Sequence, residues 1–325
     1  MATITDYSDE PRYNIKSVSD KTEINSVTIR AWERRYNLVI PKRAVNGYRL
    51  YSERDIALLL WTRARIEAGL SISSAVAEWE QMKSAGTMPE VVISTSGPIP
   101  SRQSGKVSAE VAVQRLLNDL LRHDEKSAQV VFEDALGSFN LTALFESVLA
   151  PVLVEVGERW ARGEIKVATE HFASNFILSR LLAIFQSLPL HASAPQVMIG
   201  CAPDELHVIG PLMLAILLRE AGYRVEYLGP DIPLNDLADF ICEDTPKMLI
   251  LSATLKESAI ALERFATLLE KCPQPPVFGF GGSAFIIHRE LTDRVDGVFL
   301  GPSLSQTLEA VLKLVPLKQA KKKST

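Results

Sequence analysis

The sequence predicts a multidomain chain: a mostly helical head with a two-stranded wing, a four-helix bundle, and a doubly wound α/β domain with a five-stranded parallel sheet. Three observations lead to this prediction. A basic, helix-rich stretch comes first, a helical apolar period runs through 109–188, and apolar strands alternate with amphipathic helices from 196 onward. We therefore divide the chain into a head (12–84), a linker (85–106), a bundle (107–192), an α/β domain (193–316) and a basic tail (317–325).

The composition is that of an ordinary globular protein. With 325 residues, 47% hydrophobic and 23% charged, the chain is long enough for two or three domains with separate cores. Its three cysteines have no zinc-type spacing and their count is odd, so we expect reduced thiols. The N-terminus is polar and acidic, unlike a signal peptide, and no apolar run approaches the ~20 residues that span a bilayer. These features predict a cytoplasmic protein.

Positive charge is concentrated in the head, although the net charge of the chain is −4. Between Arg30 and Arg65 there are nine lysines and arginines against three acidic residues. A local excess of this kind can be an electrostatic footprint for phosphates. A helical domain with a solvated basic face would give the same count, so charge alone does not decide between the two interpretations.

The central element of the head is a helix over Val27–Tyr36, capped by Asn25 or Ser26. Ile29 and Trp32 fall on the core side of this helix. A helix in the major groove needs outward polar side chains, with arginine forks directed at phosphates and guanine edges. We expect four side chains of this helix to face outward in this way: Thr28, Arg30, Arg34 and Arg35.

A two-stranded wing is predicted after this helix. Asn46–Gly47 is a strong hairpin-turn signal, and around it lie side chains able to straddle a DNA backbone: Lys42, Arg43, Tyr48 and Arg49. The run Thr28–Tyr36, followed by Gly47–Ser52, resembles the MerR family of winged helix-turn-helix regulators, from Tyr13 to about Met82. The resemblance implies DNA contacts by Arg30, Arg34, Arg35, Lys42, Arg43, Tyr48 and Arg49. MerR metal and drug sensors usually continue into a long dimerising helix, whereas here the linker intervenes, so we expect dimerisation through the C-terminal half.

The spacing of apolar residues predicts the two C-terminal domains. Helical spacing broken at Asp124, Gly137–Asn140 and Gly163 predicts four helices in the bundle. Beyond it, βα alternation predicts strands at Gln196–Cys201, Arg224–Leu228, Met248–Ser252, Val277–Phe280 and Gly297–Leu300. The intervening helices are predicted at Pro211–Gly222, Leu234–Cys242, Ser258–Lys271 and Leu304–Leu314.

A histidine loop follows the first strand, at the edge where doubly wound folds bind ligands. An imidazole can ligate cobalt through one nitrogen if an acceptor holds the other, and Glu205, two residues before His207, could be that acceptor. Gly210 removes a side chain where a large ligand would approach. Later strands end at the same edge in hydroxyl side chains or bare glycines: Ser252, Thr254, Gly281 and Gly282.

In order and position, these segments resemble the D-x-H-x-x-G, S-x-L/T and G-G motifs of the cobalamin-binding fold, with Glu205 in place of the usual aspartate. That replacement also occurs among light-responsive regulators of this type. The resemblance implies cobalamin bound with its own base displaced, His207 as the lower axial cobalt ligand, and a nucleotide tail in the glycine slot.

The bundle carries a further motif, Trp160 followed after nine residues by Glu170-His171. It resembles the adenosylcobalamin-sensing signature of the CarH/LitR-type photoreceptor repressors, which share the domain order of this chain. The resemblance implies that Trp160 packs on the upper axial 5′-deoxyadenosyl group, that Glu170 hydrogen-bonds its ribose, and that His171 supports both. Several light-sensing relatives have a cobalt-capturing histidine directly after the tryptophan. Here that position is Ala161, which cannot ligate cobalt.

We therefore expect a non-enzymatic repressor that binds operator DNA as a homo-oligomer, dimer or tetramer, under the control of adenosylcobalamin and light. A light-independent regulator that senses cobalamin, or uses it structurally, remains open because of Ala161. A corrinoid-carrying methyltransferase subunit would share the bundle and sheet but has no use for the head. A metal- or drug-sensing MerR activator with an unrelated effector domain is the third alternative.

Overall fold

The computed structural model describes residues 2–43, 49–91, 93 and 108–317. The chain forms two compact units, Met1–Phe176 and Ile177–Thr325, so the predicted head and most of the predicted bundle belong to one unit. Within the described ranges, no helix is both long and apolar enough to cross a membrane. Apart from residue 317, the predicted basic tail (317–325) lies outside the described residues.

Four helices build the head: α1 (Ile15–Thr22), α2 (Ser26–Tyr36), α3 (Glu53–Glu67) and α4 (Ile72–Ser84). A side-chain cap begins each of these helices. Asn25 rather than Ser26 caps α2, by accepting from the Val27 N–H at 2.8 Å. Ser52 and Asp55 form a reciprocal capping box at the start of α3. Trp32 and Tyr51 are fully buried in the head core.

The predicted wing is present as two short antiparallel strands, β2 (Lys42–Arg43) and β3 (Arg49–Leu50). The Asn46–Gly47 turn lies outside the described residues. A second strand pair was not predicted: β1 (Ala2–Thr3) pairs with β4 (Glu90–Val91), and the Tyr7 hydroxyl donates to the Val91 carbonyl at 2.7 Å. The first residues assigned to the linker therefore belong structurally to the head.

The bundle helices begin and end close to the predicted breaks. They are α5 (Ala109–Leu121), α6 (Glu125–Ser138), α7 (Leu141–Leu144), α8 (Ala150–Ala161) and α9 (Val167–Ser187), with one π-helical turn (Phe145–Leu149) joining α7 to α8. Asp124 and Asn140 are the N-caps of α6 and α7. Gly163 has φ +75°, a left-handed conformation that favours glycine and ends α8.

The predicted five-stranded parallel sheet is confirmed. Its strands are β5 (Gln196–Cys201), β6 (Arg224–Gly229), β7 (Met248–Ser252), β8 (Val277–Gly281) and β9 (Val298–Phe299), in the order β6-β5-β7-β8-β9. Every neighbouring pair is parallel. All of β5 except Gln196 is buried, as expected of a strand covered on both faces.

The helices that connect these strands are α10 (Ile209–Ala221), α11 (Leu234–Asp244), α12 (Lys256–Ala261), α13 (Phe265–Leu269) and α14 (Ser283–Ile287), and α15 (Leu304–Leu314) follows β9. The single helix predicted over Ser258–Lys271 was wrong, because a 3-10 turn at Leu262–Arg264 separates α12 from α13. The apolar spacing continues through the turn, so periodicity did not show it. The five-residue α14 was not predicted.

The expectation of three reduced cysteines was also wrong. Cys242, in α11, and Cys272, after α13, form a disulfide at a sequence separation of 30. Only Cys201 is a free thiol among the described residues, and it is buried in β5. The two bonded cysteines approach each other because α11 and α13 pack on the same core, a contact that sequence spacing could not show.

Candidate functional sites

The order of the strands determines which loops can form a ligand site. Strand β5 lies between β6 and β7, so the connections leaving the carboxyl ends of β5 and β7 diverge there. This is the topological switch point at which open α/β sheets bind ligands. The histidine loop follows β5, and residues 253–255 follow β7. The two segments predicted to bind cobalamin therefore meet at this crevice.

A buried carboxylate joins the two loops. The Glu205 side chain is fully buried, and its Oε1 accepts from His207 Nδ1 at 2.5 Å and from the His207 backbone N–H at 2.9 Å. Its Oε2 accepts from the backbone N–H groups of Thr254, at 2.5 Å, and Leu255, at 2.9 Å. One carboxylate thus positions the histidine of the first loop and clamps the backbone of the second.

This hydrogen bonding fixes the charge of Glu205. Burial alone would raise the pKa of the carboxyl group, but hydrogen bonds from the His207 side chain and backbone, and from the Leu255 and Thr254 N–H groups, lower the pKa to about 2. The carboxylate is therefore ionised at neutral pH, and His207 donates to it through Nδ1. A metal would then be ligated through Nε2, and the 58% exposed side chain can reach a ligand at the crevice.

Cys201, at the end of β5, is the nearest thiol in sequence to this loop. Burial, with a smaller contribution from the Glu205 charge, raises the pKa of its thiol to about 12. The thiol stays protonated at neutral pH, and the thiolate is the form that binds metals. His207 is consequently the side chain of this loop whose chemistry suits a cobalt ligand.

The glycines of this edge have different roles. Apart from the sequence neighbours and, for Gly210, the backbone of its own helix, no atom of the described residues lies within 4 Å of the position that a Cβ would take at Gly210 or Gly281, so both border open space. Gly282 instead has φ +107°, and a Cβ there would lie 2.2 Å from the Ala253 carbonyl oxygen. The absence of a side chain at Gly282 therefore allows the end of β8 to pack closely against Ala253. Gly282 does not line a slot for a ligand. The open side of the edge is compatible with a large ligand.

The hydroxyl residues of the edge lie where the sequence predicts. Ser252 is the last residue of β7, and Thr254 follows two residues later; both are partly exposed. Thr254 contributes its backbone N–H to Glu205, an interaction that the sequence motif did not indicate. These side chains fit the polar part of a cobalamin pocket, so the donor set of the edge suits the cofactor that the sequence implies.

The upper-face residues lie at the two ends of one short loop. Trp160 is in the last turn of α8, with half of its surface exposed, and Glu170 and His171 are in the first turn of α9. Glu170 accepts from His171 Nδ1 at 2.6 Å and from the Ser174 hydroxyl at 2.6 Å. Ala161 is the exposed last residue of α8.

The residues of α2 that were predicted to face DNA differ in their exposure and in their partners. The prediction that Thr28 faces outward was wrong: it is fully buried, and its hydroxyl donates to the Leu136 carbonyl of α6 at 2.7 Å. Arg35 forms an ion pair with Glu133 of α6. Arg34 is exposed, whereas Arg30 is partly buried, and burial lowers the pKa of its guanidinium.

On the wing, Lys42 and Arg43 are exposed. Arg49 is half-buried and donates to Glu33 at 2.8 Å. Tyr48 lies outside the described residues. The basic side chains Arg34, Lys42 and Arg43 are therefore on the surface of the head, where they could contact a phosphate backbone.

Two contacts have no clear signal in the sequence. Glu133, the partner of Arg35, is buried in α6 beside Asp134, directly after the apolar run 130–132. A buried carboxylate needs a partner. Leu255 contributes only its backbone N–H to Glu205, and no side-chain pattern indicates that.

Comparisons with known proteins agree with this geometry. Residues 13–78 match the MerR HTH family regulatory proteins, and residues 112–184 and 195–312 match two families of B12 binding domain. The chain is 30% identical over 290 residues to the HTH-type transcriptional repressor CarH of Myxococcus xanthus, covering 88% of this chain and 94% of CarH. It is 31% identical to the repressor CarA of the same organism, covering 82% of this chain and 85% of CarA.

A solved structure supports the fold of the C-terminal part. The monomethylamine corrinoid protein of Methanosarcina barkeri superposes with a TM-score of 0.55 at 14% identity, covering 64% of this chain and all of that protein. The match shows the fold, and the identity with CarH extends over the head as well. The chain belongs to the family of MerR-type transcriptional regulators with B12-binding domains that includes CarH and CarA.

Proposed function

We propose that this protein is a transcriptional repressor, not an enzyme, whose binding to operator DNA is controlled by adenosylcobalamin and by light. The observation that carries the proposal is the fully buried Glu205, which holds Nδ1 of the exposed His207 at the switch point of the sheet. An imidazole held in this way has a fixed tautomer and raised basicity, which suits a lower axial cobalt ligand.

The remaining cofactor roles follow from position and chemistry. On the lower side of the corrin ring, Glu205 orients His207, and Gly210 and Gly281 leave open space for the ring and its nucleotide tail. Ser252 and Thr254 would offer hydroxyl groups to that tail, and Gly282 keeps the end of the strand in place. On the upper side, Trp160 would pack on the adenosyl group, Glu170 would hydrogen-bond its ribose, and His171 would support that site.

The exposure of Trp160 supports its proposed role. A tryptophan with half of its surface in water buries a large apolar area when a flat ligand covers it. Glu170 already accepts from His171 and Ser174, and these bonds hold its carboxylate at the start of α9. A positioned carboxylate loses less conformational freedom when it accepts from a ribose hydroxyl.

The head would bind DNA through α2 and the wing. Arg34, Lys42 and Arg43 are exposed, and Arg35 is exposed but paired with Glu133. The set that the family resemblance assigns also includes Arg30, Tyr48 and Arg49. Phosphate contacts of this kind make affinity steeply dependent on salt. Thr28 would reach DNA only after its bond to α6 is broken.

Light control concerns the adenosyl form of the cofactor, whose cobalt–carbon bond is cleaved by light. Trp160, Glu170 and His171 would then lose the group they hold, and the bundle helices could shift. We propose that the dark, adenosyl-bound protein is a DNA-binding homo-oligomer, dimer or tetramer, and that illumination weakens both assembly and DNA binding. Linked heads gain avidity, so loss of the oligomer reduces DNA affinity sharply.

A second candidate is a regulator that senses cobalamin without light. Ala161 favours it, because a methyl side chain at the end of α8 cannot ligate cobalt. A corrinoid-carrying methyltransferase subunit is disfavoured, since the MerR-type head has no part in methyl transfer.

The test is size-exclusion chromatography of the full chain with adenosylcobalamin, in the dark and after illumination, with DNA binding measured on the same samples. We expect a larger species and tighter DNA binding in the dark, both reduced by light. Trp160→Ala should lose the dark assembly and retain the cofactor. An oligomer that responds to adenosylcobalamin but not to light would select the second candidate, and one that responds to neither would contradict both.

A further inference from the structure

The DNA-reading helix α2 is docked on α6 of the B12-binding helical domain. Four residues of α2 make the contact: Thr28, Trp32, Arg35 and Tyr36. Their spacing of i, i+4, i+7 and i+8 places them on one stripe of the helix. The contact is therefore a continuous face of α2, not a single chance hydrogen bond.

The partner surface on α6 is made of hydrogen-bond acceptors and one close packing point. Glu133 pairs with Arg35 through Oε1, and its Oε2 accepts from the Tyr36 hydroxyl at 2.5 Å. The Leu136 carbonyl accepts from the Thr28 hydroxyl. At Gly137, a Cβ would lie 3.1 Å from the Trp32 ring, so this glycine allows α6 to approach closely.

A further hydrogen bond extends the contact beyond α2. The Ile72 N–H, in the first turn of α4, donates to the Asp134 carboxylate at 3.1 Å. Adjacent acidic residues of α6 thus receive donors from two helices of the head. Helix α3 packs against α6 as well, so the head contacts α6 through α2, α3 and α4.

We propose that this α6 surface is an internal competitor of DNA, which holds the head in a conformation that cannot bind a duplex through Thr28 and Arg35. The proposal rests on DNA binding by the head, as proposed above. An arginine, a tyrosine hydroxyl and a threonine hydroxyl are the donors that proteins direct at DNA phosphates. Here the carboxylate of Glu133 and a backbone carbonyl take the places of phosphate oxygens. The same donors cannot serve both partners.

The contact also determines which signal could reach the head. Helix α6 lies within residues 112–184, the segment that matches a B12 binding domain. A rearrangement of that helical domain would change the acceptors presented to α2. The α6 surface thus connects the state of the cofactor domain to the availability of the DNA-reading helix, with no additional partner required.

Glu133 is the better member of the ion pair with Arg35 to replace, because of the difference in exposure between the two charged side chains. Its side chain is only 9% exposed, whereas Arg35 is 44% exposed and would be hydrated once released. Glu133→Ala therefore frees Arg35 without leaving a buried charge unpaired. Glu125→Ala, in the exposed first turn of the same helix, removes an equal charge and controls for general electrostatic repulsion of DNA.

The experiment measures binding of a fluorescent mixed-sequence duplex at low ionic strength to the full chain. Glu133→Ala should bind at least about fivefold more tightly than wild type, and Glu133→Gln should show a smaller gain because the amide oxygen still accepts. Glu125→Ala should stay within about twofold of wild type. Equal gains from Glu125→Ala and Glu133→Ala, or a loss from Glu133→Ala in a folded protein, would overturn the proposal.

Hydrogen–deuterium exchange of wild type provides a second readout. Adding duplex should accelerate exchange of the C-terminal half of α6, because the head leaves it. Duplex binding with unchanged exchange in α6 would overturn the competition and leave the DNA-binding function intact. Failure of every variant to bind duplex would overturn the DNA-binding function, and the competition with it.

Discussion

The β5–α10 loop and helix α2 were both predicted to present polar side chains to a ligand, and only the loop does so fully. In the loop, the exposed His207 side chain is held by the buried carboxylate of Glu205. The hydrogen-bond partners of that carboxylate lie in the same unit of the chain. On α2, Thr28 is buried and Arg35 is paired, because α6 covers that side of the helix. A site held by neighbouring loops can be inferred from a short motif, whereas the exposure of a helix face depends on what packs against it.

The largest effect is expected from removing the carboxylate that holds the β5–α10 loop. Glu205→Ala removes the acceptor of one imidazole N–H and three backbone N–H groups. We expect the free energy of unfolding to fall by about 3 kcal/mol and cobalamin affinity to fall about 10–100-fold. Chemical unfolding and a cobalamin titration measure the two effects.

The matched control is Glu226→Ala, which removes a partly exposed carboxylate of β6 paired with Arg224. Its cost should stay below about 1 kcal/mol. If the two variants were equally stable and bound cobalamin equally, the clamp formed by Glu205 would not support the site.

Gly281 and Gly282, at the same edge of the sheet, are expected to respond differently to substitution. Gly282→Ala forces a side chain into a left-handed backbone conformation and against the Ala253 carbonyl, so we expect a loss of about 2–3 kcal/mol. Gly281→Ala points into open space and should cost less than about 1 kcal/mol, yet weaken cobalamin binding if the ligand fills that space. Thermal unfolding with and without cobalamin separates the two effects. Equal destabilisation by both substitutions would show that the open space is absent.

The smallest effect is expected on α2. Thr28→Val keeps the shape of the side chain and removes the hydroxyl that donates to the Leu136 carbonyl. The free energy of unfolding should fall by about 1 kcal/mol, since a buried acceptor is left without its donor. Ser26→Ala, at the partly exposed start of the same helix, is the control. A Thr28→Val protein as stable as wild type would mean that the contact with α6 contributes nothing to the fold.

Periodicity was enough to predict the sheet, because each parallel strand is a short apolar run buried on both faces, as β5 illustrates. It also located the bundle breaks, where Asp124, Asn140 and Gly163 cap or end helices by their own local chemistry. It missed the 3-10 turn at Leu262–Arg264, since the apolar spacing continues through that turn. The Cys242–Cys272 bond depends on tertiary packing and has no local signature.

The candidate site was predictable to a similar extent. The pairing of Glu205 with His207 followed from a separation of two residues and is present in the structure. The bonds from Thr254 and Leu255 to the same carboxylate join loops about fifty residues apart, and backbone donors leave no trace in side-chain patterns. The contact of Arg35 with Glu133 spans 98 residues, so the sequence indicated the arginine but not its partner.

The central claim is that His207 holds a cobalamin whose presence controls this regulator. The most direct test loads wild type and His207→Ala with adenosylcobalamin in the dark, removes unbound ligand by desalting, and records absorption spectra of the retained cofactor. We predict that wild type keeps the cofactor with a histidine-ligated spectrum, and that His207→Ala loses most of it while remaining folded. Equal retention with identical spectra would contradict the account.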